Sequence, residues 1–189
     1  MTGCRYKRLA PVPLVGRPSA VYPRSFAKVE SMDKRHIEIS DAEADDWRVI
    51  AEFNAALAEE SEDKTLDRAI LESGVRRLLE DTARGRYFLA RHDGRVVGQT
   101  LITYEWSDWR DGWIWWIQSV YVDPGYRRQG VFRTLYRHIE ALARNDKDVV
   151  AIRLYVEREN GRAQDTYRSL GMAHTGYRVM ESEFEDINE

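Results

Sequence analysis

Apolar and polar positions alternate along His36–Ser40 in a way that predicts a short strand, with Asp41 placed to cap a helix directly after it. Trp47, Ile50, Ala51, Phe53 and Leu57 then recur at helical spacing, and a run of acids (Glu59, Glu60, Glu62, Asp63) ends the pattern. Leu66, Ile70, Leu71, Val75, Leu78 and Leu79 predict a second amphipathic helix, weakened at Gly74 by about 1 kcal/mol of propensity relative to Ala. Three strands come next: Arg86–Arg91, then Val96–Glu105 after the hairpin signal His92-Asp93-Gly94, then Trp113–Val122 after the turn Ser107–Gly112. The third is apolar on both faces, as expected of a strand covered on both sides.

Asp123-Pro124-Gly125 stops that strand, and Val131, Phe132, Leu135, Tyr136, Ile139, Leu142 and Ala143 form a helical stripe. Ala151–Val156 reads as a fifth strand. Asn160 suits the N-cap of a short helix through Leu170, with Gly171 at its C′ position. Thr175–Met180 alternates and predicts a last strand. The expected class is α+β: a mixed, mostly antiparallel sheet in the order β-α-α-β-β-β-α-β-α-β, with helices on both faces.

Composition narrows this picture. A chain of 189 residues with 43% hydrophobic and 32% charged residues fits one globular domain. The formal charge of −3 makes no case for nucleic acid, and no apolar run reaches the length of a membrane span. Cys4 is the lone cysteine, and the four histidines show no metal-ligand spacing, so neither a disulfide framework nor a metal is expected. Residues 1–31 hold six basic residues, one acid and four of the five prolines. Residues 1–32 therefore read as a flexible basic tail, or as an extension upstream of a start at Met32, ahead of one domain over 33–189. An organelle transit peptide is the sharper alternative, and the prolines argue against it.

The chemistry concentrates in Val120–Thr134. A strand, a tight turn and a helix N-terminus succeed one another there, and the N-terminus offers unpaired amides and the positive end of the dipole to a phosphate. Gly130 permits close backbone approach, and Arg127 and Arg128 can add charge-assisted bonds.

The segment Arg127-Arg128-Gln129-Gly130-Val131-Phe132 resembles the Gln/Arg-x-x-Gly-x-Gly/Ala signature of the GNAT superfamily of acyl-CoA-dependent N-acetyltransferases. Phe132 departs from the usual small residue. Leu154–Asn160, then Ala163, Tyr167 and Leu170-Gly171-Met172, resembles the same superfamily's later motif. The resemblance covers about residues 36–181. It implies that acetyl-CoA lies with its pyrophosphate on the amides of Arg128, Gln129, Gly130, Val131, Phe132 and Arg133. Its pantetheine arm would pair with the backbone of Val120, Tyr121 and Val122, with Asn160 and Ala163 also at the cofactor.

The same resemblance makes Tyr167 the general acid for the leaving thiolate. The base has no obvious candidate, because Trp113–Val122 holds no carboxylate and Gln118 can only orient a water. Glu105 and Asp108 are the nearest acids, set against a plain solvated-loop role. The implied reaction is direct acetyl transfer to a primary amine, a small molecule being favoured. A non-catalytic acyl-CoA sensor is the alternative. Trp106, Trp109, Trp113, Trp115 and Trp116, with the acids at 59–63, would form a wall for a cationic acceptor. The expected setting is cytoplasmic, without membrane or nucleic acid, as monomer or homodimer.

Overall fold

A computed structural model describes residues 36–182 and residue 184, so the basic segment 1–32 lies outside the described residues. Five strands form one sheet in the order β1-β2-β3-β4-β5: β1 (Glu38–Asp41), β2 (Arg86–His92), β3 (Arg95–Ser107), β4 (Gly112–Val122) and β5 (Val149–Leu154). Strands β1 to β4 pair antiparallel with one another, and β5 runs parallel to β4. Four helices accompany them: α1 (Trp47–Glu62), α2 (Arg68–Leu79), α3 (Val131–Asn145) and α4 (Gly161–Ser169). The class and helix count are those expected, with one strand fewer than the pattern predicts.

Burial explains the layering. Phe88, Val97, Ile102, Trp115 and Ile117 meet Val131, Leu135 and Ile139 of α3 on one face. Tyr87, Leu89, Val96 and Leu101 meet Ile50, Ala51 and Val75 of α1 and α2 on the other. Strands β2 and β3 thus bury both faces, which is why their sequences read as apolar with little alternation. The β2–β3 connection is the tight hairpin expected, with φ of 49° at Asp93 and 77° at Gly94. Parallel β4 and β5 require a crossover, and α3 supplies it.

Two local expectations are corrected. Asp41 does not cap α1. It closes β1, and its carboxylate takes the Arg86 guanidinium at 2.7 Å across the β1–β2 ladder. The helical turn instead starts at Ala44, where the Glu43 amide donates to Asp46 Oδ2 at 2.9 Å. Residues 175–180 form no strand, and Tyr177, Val179 and Met180 are exposed. Alternation alone makes no ladder. A cavity of about 1220 Å³ separates this stretch from β5, whose outer edge has no partner among the described residues. None of the described helices is long and apolar enough to cross a membrane.

Candidate functional site

The site begins where two parallel strands part. Pairing between β4 and β5 runs from Trp113 with Val149 to Ile117 with Leu154, and stops. From Gln118 to Val122, β4 continues without a neighbour on that side among the described residues. Its backbone groups there form an open edge of the kind that accepts an extended ligand.

The open stretch carries a bulge. Gln99 faces Tyr121 and Leu101 faces Gln118, so Ser119 and Val120 together oppose Thr100. Ser119 has φ 47°, an uncommon conformation for a residue with a Cβ, and it persists because its surroundings hold it. Gln99, with 0% exposure, directs Nε2 to the Ser119 carbonyl at 3.5 Å and to Asn54 Oδ1 at 2.7 Å. Asn54 in turn donates to the Tyr87 hydroxyl at 2.9 Å. Gln99 Oε1 is the one buried side-chain polar atom without a partner among the described residues. A bulge re-aims the strand next to it, and no local residue signal in Gln-Ser-Val announces this one.

Beyond Val122 the chain turns through Pro124–Tyr126, stabilised by the Asp123 carboxylate accepting from the Gly125 amide at 2.8 Å. Arg128 (φ 63°) and Gly130 (φ 84°) both adopt the left-handed conformation, so the backbone folds into a concave turn before α3. Backbone bonds in this turn use the amides of Tyr126 and Arg127 and resume at Thr134, which donates to the Gly130 carbonyl. The amides of residues 128–133 donate to no backbone carbonyl among the described residues, at the positive end of α3. A Cβ added at Gly130 would meet nothing within 4 Å, so glycine is needed there for its φ and not for space.

Phe132 lies along the inner side of that first turn. Its ring meets Tyr136 at 6.3 Å and Tyr167 of α4 edge-on at 5.5 Å. The bulky residue therefore packs between α3 and α4. Val131 is buried beneath the turn, while Gln129 and Arg133 are exposed.

Arg127 is occupied within the chain. Its Nε donates to the Val122 carbonyl at 2.8 Å and its Nη2 to Glu60 Oε2 at 2.6 Å. Glu60, at the end of α1, also accepts from the Tyr121 hydroxyl at 2.8 Å. Burial pushes the Glu60 carboxyl up, but the hydrogen bonds from Arg127 and Tyr121 outweigh it and hold the group below its ordinary value. Arg127 thus pins α1 to the turn, and Arg128 is the exposed arginine beside the free amides. Glu60 belongs to the site for this reason. Its place in an acidic run hints at a role, but its partner is 67 residues away.

Asn160 caps α4 by accepting from the Ala163 amide at 3.0 Å. Tyr167, half-buried on the same helix, lines the cavity, and its hydroxyl has no hydrogen-bond partner among the described residues. Burial raises its pKa above the ordinary tyrosine value, so it keeps its proton.

The expected acids fare differently. Asp108 sits exposed in the β3–β4 turn, at the end of β4 remote from the bulge. Glu105 lies on the sheet face of Trp116 and Gln118, and accepts from Trp116 Nε1 and from Arg153 Nη1 at 3.1 and 3.3 Å. By register Glu105 stands opposite Ile114, five strand residues short of Ser119, and its carboxylate is tied to Trp116 and Arg153. The tryptophans divide by the same alternation. Trp113 and Trp115 project to the face opposite Trp116, Trp109 is exposed at the hairpin tip, and Trp116 lines the cavity, stacked on Tyr155 at 4.4 Å.

Comparison with known proteins identifies the family and the fold. Residues 42–172 match the model of the acetyltransferase (GNAT) family. A stretch of 76 residues is 36% identical to the thialysine N-epsilon-acetyltransferase of Bos taurus, covering 40% of this chain and 44% of that protein. The chain thus spans less than half the length of that relative. The crystal structure of a possible acetyltransferase from Clostridium difficile 630 superposes with a TM-score of 0.75 at 47% identity, over 79% of this chain and 98% of that one. An aminoglycoside acetyltransferase from an uncultured soil metagenomic sample superposes with a TM-score of 0.64 over 79% of this chain and 97% of its own. At 16% identity that likeness shows the fold alone.

Proposed function

The chain belongs to the GNAT family of acetyltransferases, and on that premise we propose that it moves the acetyl group of acetyl-CoA to an amine by direct attack. The carrying observation is the contact of Phe132 with Tyr167, which joins the first turn of α3 to the proton-bearing hydroxyl. An anion on the amides of 128–133 and a proton donor in the cavity then serve one extended ligand. The residues fit a pyrophosphate followed by a long arm: the concave turn at Arg128–Gly130 for the phosphates, with Arg128 beside it, and the open edge Gln118–Val122 for amide groups of the arm.

The bulge at Ser119–Val120 marks the position of the thioester carbonyl in this reading, because it turns backbone groups out of the ladder. The amine nitrogen attacks that carbonyl carbon, the C–N bond forms and the C–S bond breaks. Tyr167 delivers its proton to the departing sulfur, consistent with a hydroxyl that burial keeps protonated. The incoming amine passes its proton to water, which restores Tyr167. Gln118 suits the ordering of that water. Its Nε2 is committed to Thr103 Oγ1 at 2.6 Å, while its Oε1 has no partner among the described residues.

The bovine relative is named for an ε-amine of an amino acid, which favours a small-molecule acceptor. Thiol release from acetyl-CoA with a panel of amines, with mass spectrometry of the products, tests the assignment. An acetylated amine formed in step with free thiol supports it. Acetyl-CoA that raises the melting temperature yet releases no thiol with any amine would leave a binding module instead.

A further inference from the structure

Arg153 of β5 is a cationic group that the fold brings against the open face of β4. It pairs in register with Trp116, lies over its ring at 5.6 Å, and lines the cavity that also holds Tyr167. Only 23% of its side chain is exposed. Its Nη1 is spent on Glu105, whereas its Nε and Nη2 donate to nothing among the described residues. Glu105 in turn has accepting capacity left, since its Oε1 receives one bond and 42% of the side chain is exposed. The result is a fixed pair of opposite charges, each with an unused side, against the stacked rings of Trp116 and Tyr155.

From this we infer that Glu105 and Arg153 form the binding site for the zwitterionic end of an α-amino acid, whose distant amine receives the acetyl group. The substrate carboxylate takes the free N–H fork of Arg153, and the α-ammonium faces Glu105. Measured from the Arg153–Glu105 pair, head-group hydrogen bonds included, the reacting nitrogen lies about 10 Å away, three strand residues from Trp116 to Ser119. A lysine-length spacer suits that reach, and Gln118 lies along it on the same face. A polyamine has no carboxylate for Arg153, and Glu60 of α1 is already committed to Arg127 and Tyr121. The inference rests on the acetyl-transfer reading for the position of the reacting amine, but the head-group site is measurable without turnover.

The test is calorimetric titration of the CoA-saturated protein with lysine, 6-aminohexanoate (no α-amine), cadaverine (no carboxylate) and spermidine. Lysine should bind about a hundredfold more tightly than cadaverine or spermidine, because a site built for a carboxylate is left unpaired without one. Aminohexanoate should fall between. Arg153→Gln should lose at least about tenfold in lysine affinity while keeping the rise in melting temperature given by CoA, and Arg153→Lys should recover only part. Glu105→Gln, a second probe should Arg153→Gln misfold, should bring lysine and aminohexanoate to similar affinities. Cadaverine or spermidine binding as tightly as lysine overturns the assignment, as does lysine affinity unchanged in a folded Arg153→Gln. Lysine binding that depends on Arg153 without thiol release from acetyl-CoA would uphold the head-group site and remove the transferase reading.

Discussion

Replacing Tyr167 by Phe isolates a single hydroxyl. The ring remains, so the edge-on contact with Phe132 at 5.5 Å, of a kind worth about 0.5–1.5 kcal/mol, remains with it. The hydroxyl has no partner to strand, so its removal should leave stability unchanged or raise it by at most about 1 kcal/mol. Affinity for acetyl-CoA should hold as well, because neither the amides of 128–133 nor the β4 edge is touched. What is lost is the proton for the departing thiolate. A positioned acid contributes roughly 10²–10⁴ in rate, which corresponds to about 2.7–5.4 kcal/mol in the barrier. The assay is thiol release at saturating acceptor, run beside thermal melting and calorimetry with acetyl-CoA. A kcat within threefold of the parent, with folding and binding intact, would refute the general-acid role. A matching fall in acetyl-CoA affinity would show that the hydroxyl binds and does not donate.

Other expectations rest on the same geometry. If the amine gives its proton to water, as proposed, log(kcat/KM) should climb about one unit per pH unit up to the amine's own pKa near 10, and Tyr167, raised above the ordinary value, should impose no alkaline fall below that; a plateau beginning near pH 7 would reveal a base in the protein. Glu60→Gln should cost at most about 1 kcal/mol, since both partners are more than a third exposed. The Glu60 pKa is depressed on folding, so its contribution is present above the unfolded value of 4.5 and fades as pH falls through the lower folded value; urea melts at pH 7 and pH 3 should show the difference from Glu60→Gln shrink at the lower pH. Gln99→Ala strips the support from Ser119 and Asn54 and should cost about 1–3 kcal/mol in melting, with weaker acetyl-CoA binding as the bulge relaxes. Gly130→Ala meets no steric contact but must hold φ 84°, at about 1–2 kcal/mol, and should weaken acetyl-CoA binding measured by calorimetry.

How much of this site can be read along the chain depends on where each constraint comes from. The cradle at Asp123–Gly130 is local. Proline and two glycines set its backbone, and a helix N-terminus binds anions wherever it occurs. It is therefore visible in eleven consecutive letters of the sequence, 120–130. The hairpin at Asp93-Gly94 and the cap at Asn160 are local in the same sense. The bulge at Ser119 is not. It is imposed by Gln99 from the neighbouring strand and by Asn54 from α1, and Gln-Ser-Val carries no mark of either. Arg127 shows the same difference sharply, because its motif position suggests a phosphate ligand while Glu60 and the Val122 carbonyl engage its guanidinium.

The stretch 175–180 is the converse case. Its alternation is plain, but a strand is a relation between two segments, and its hydrogen bonds need a second edge within reach. Trp113–Val122 illustrates why the acceptor side is harder still. Its aromatic run is one feature in sequence, yet alternation sends Trp115 into the core beneath α3 and Trp116 into the cavity. Arg153 then reaches Trp116 from β5, and Glu105 from β3, so three strands each contribute a side chain. Local pattern thus discloses the turn proposed to hold an anion, whereas the proposed acceptor selectivity rests on strand register. Swapping Trp116 for Phe separates the two. The ring stack on Tyr155 survives, but the indole N–H that holds Glu105 is gone. Acetyl-CoA binding should be unaffected, while discrimination between lysine and cadaverine should fall by about tenfold or more, about 1.5–3 kcal/mol for one lost hydrogen bond to a charged group.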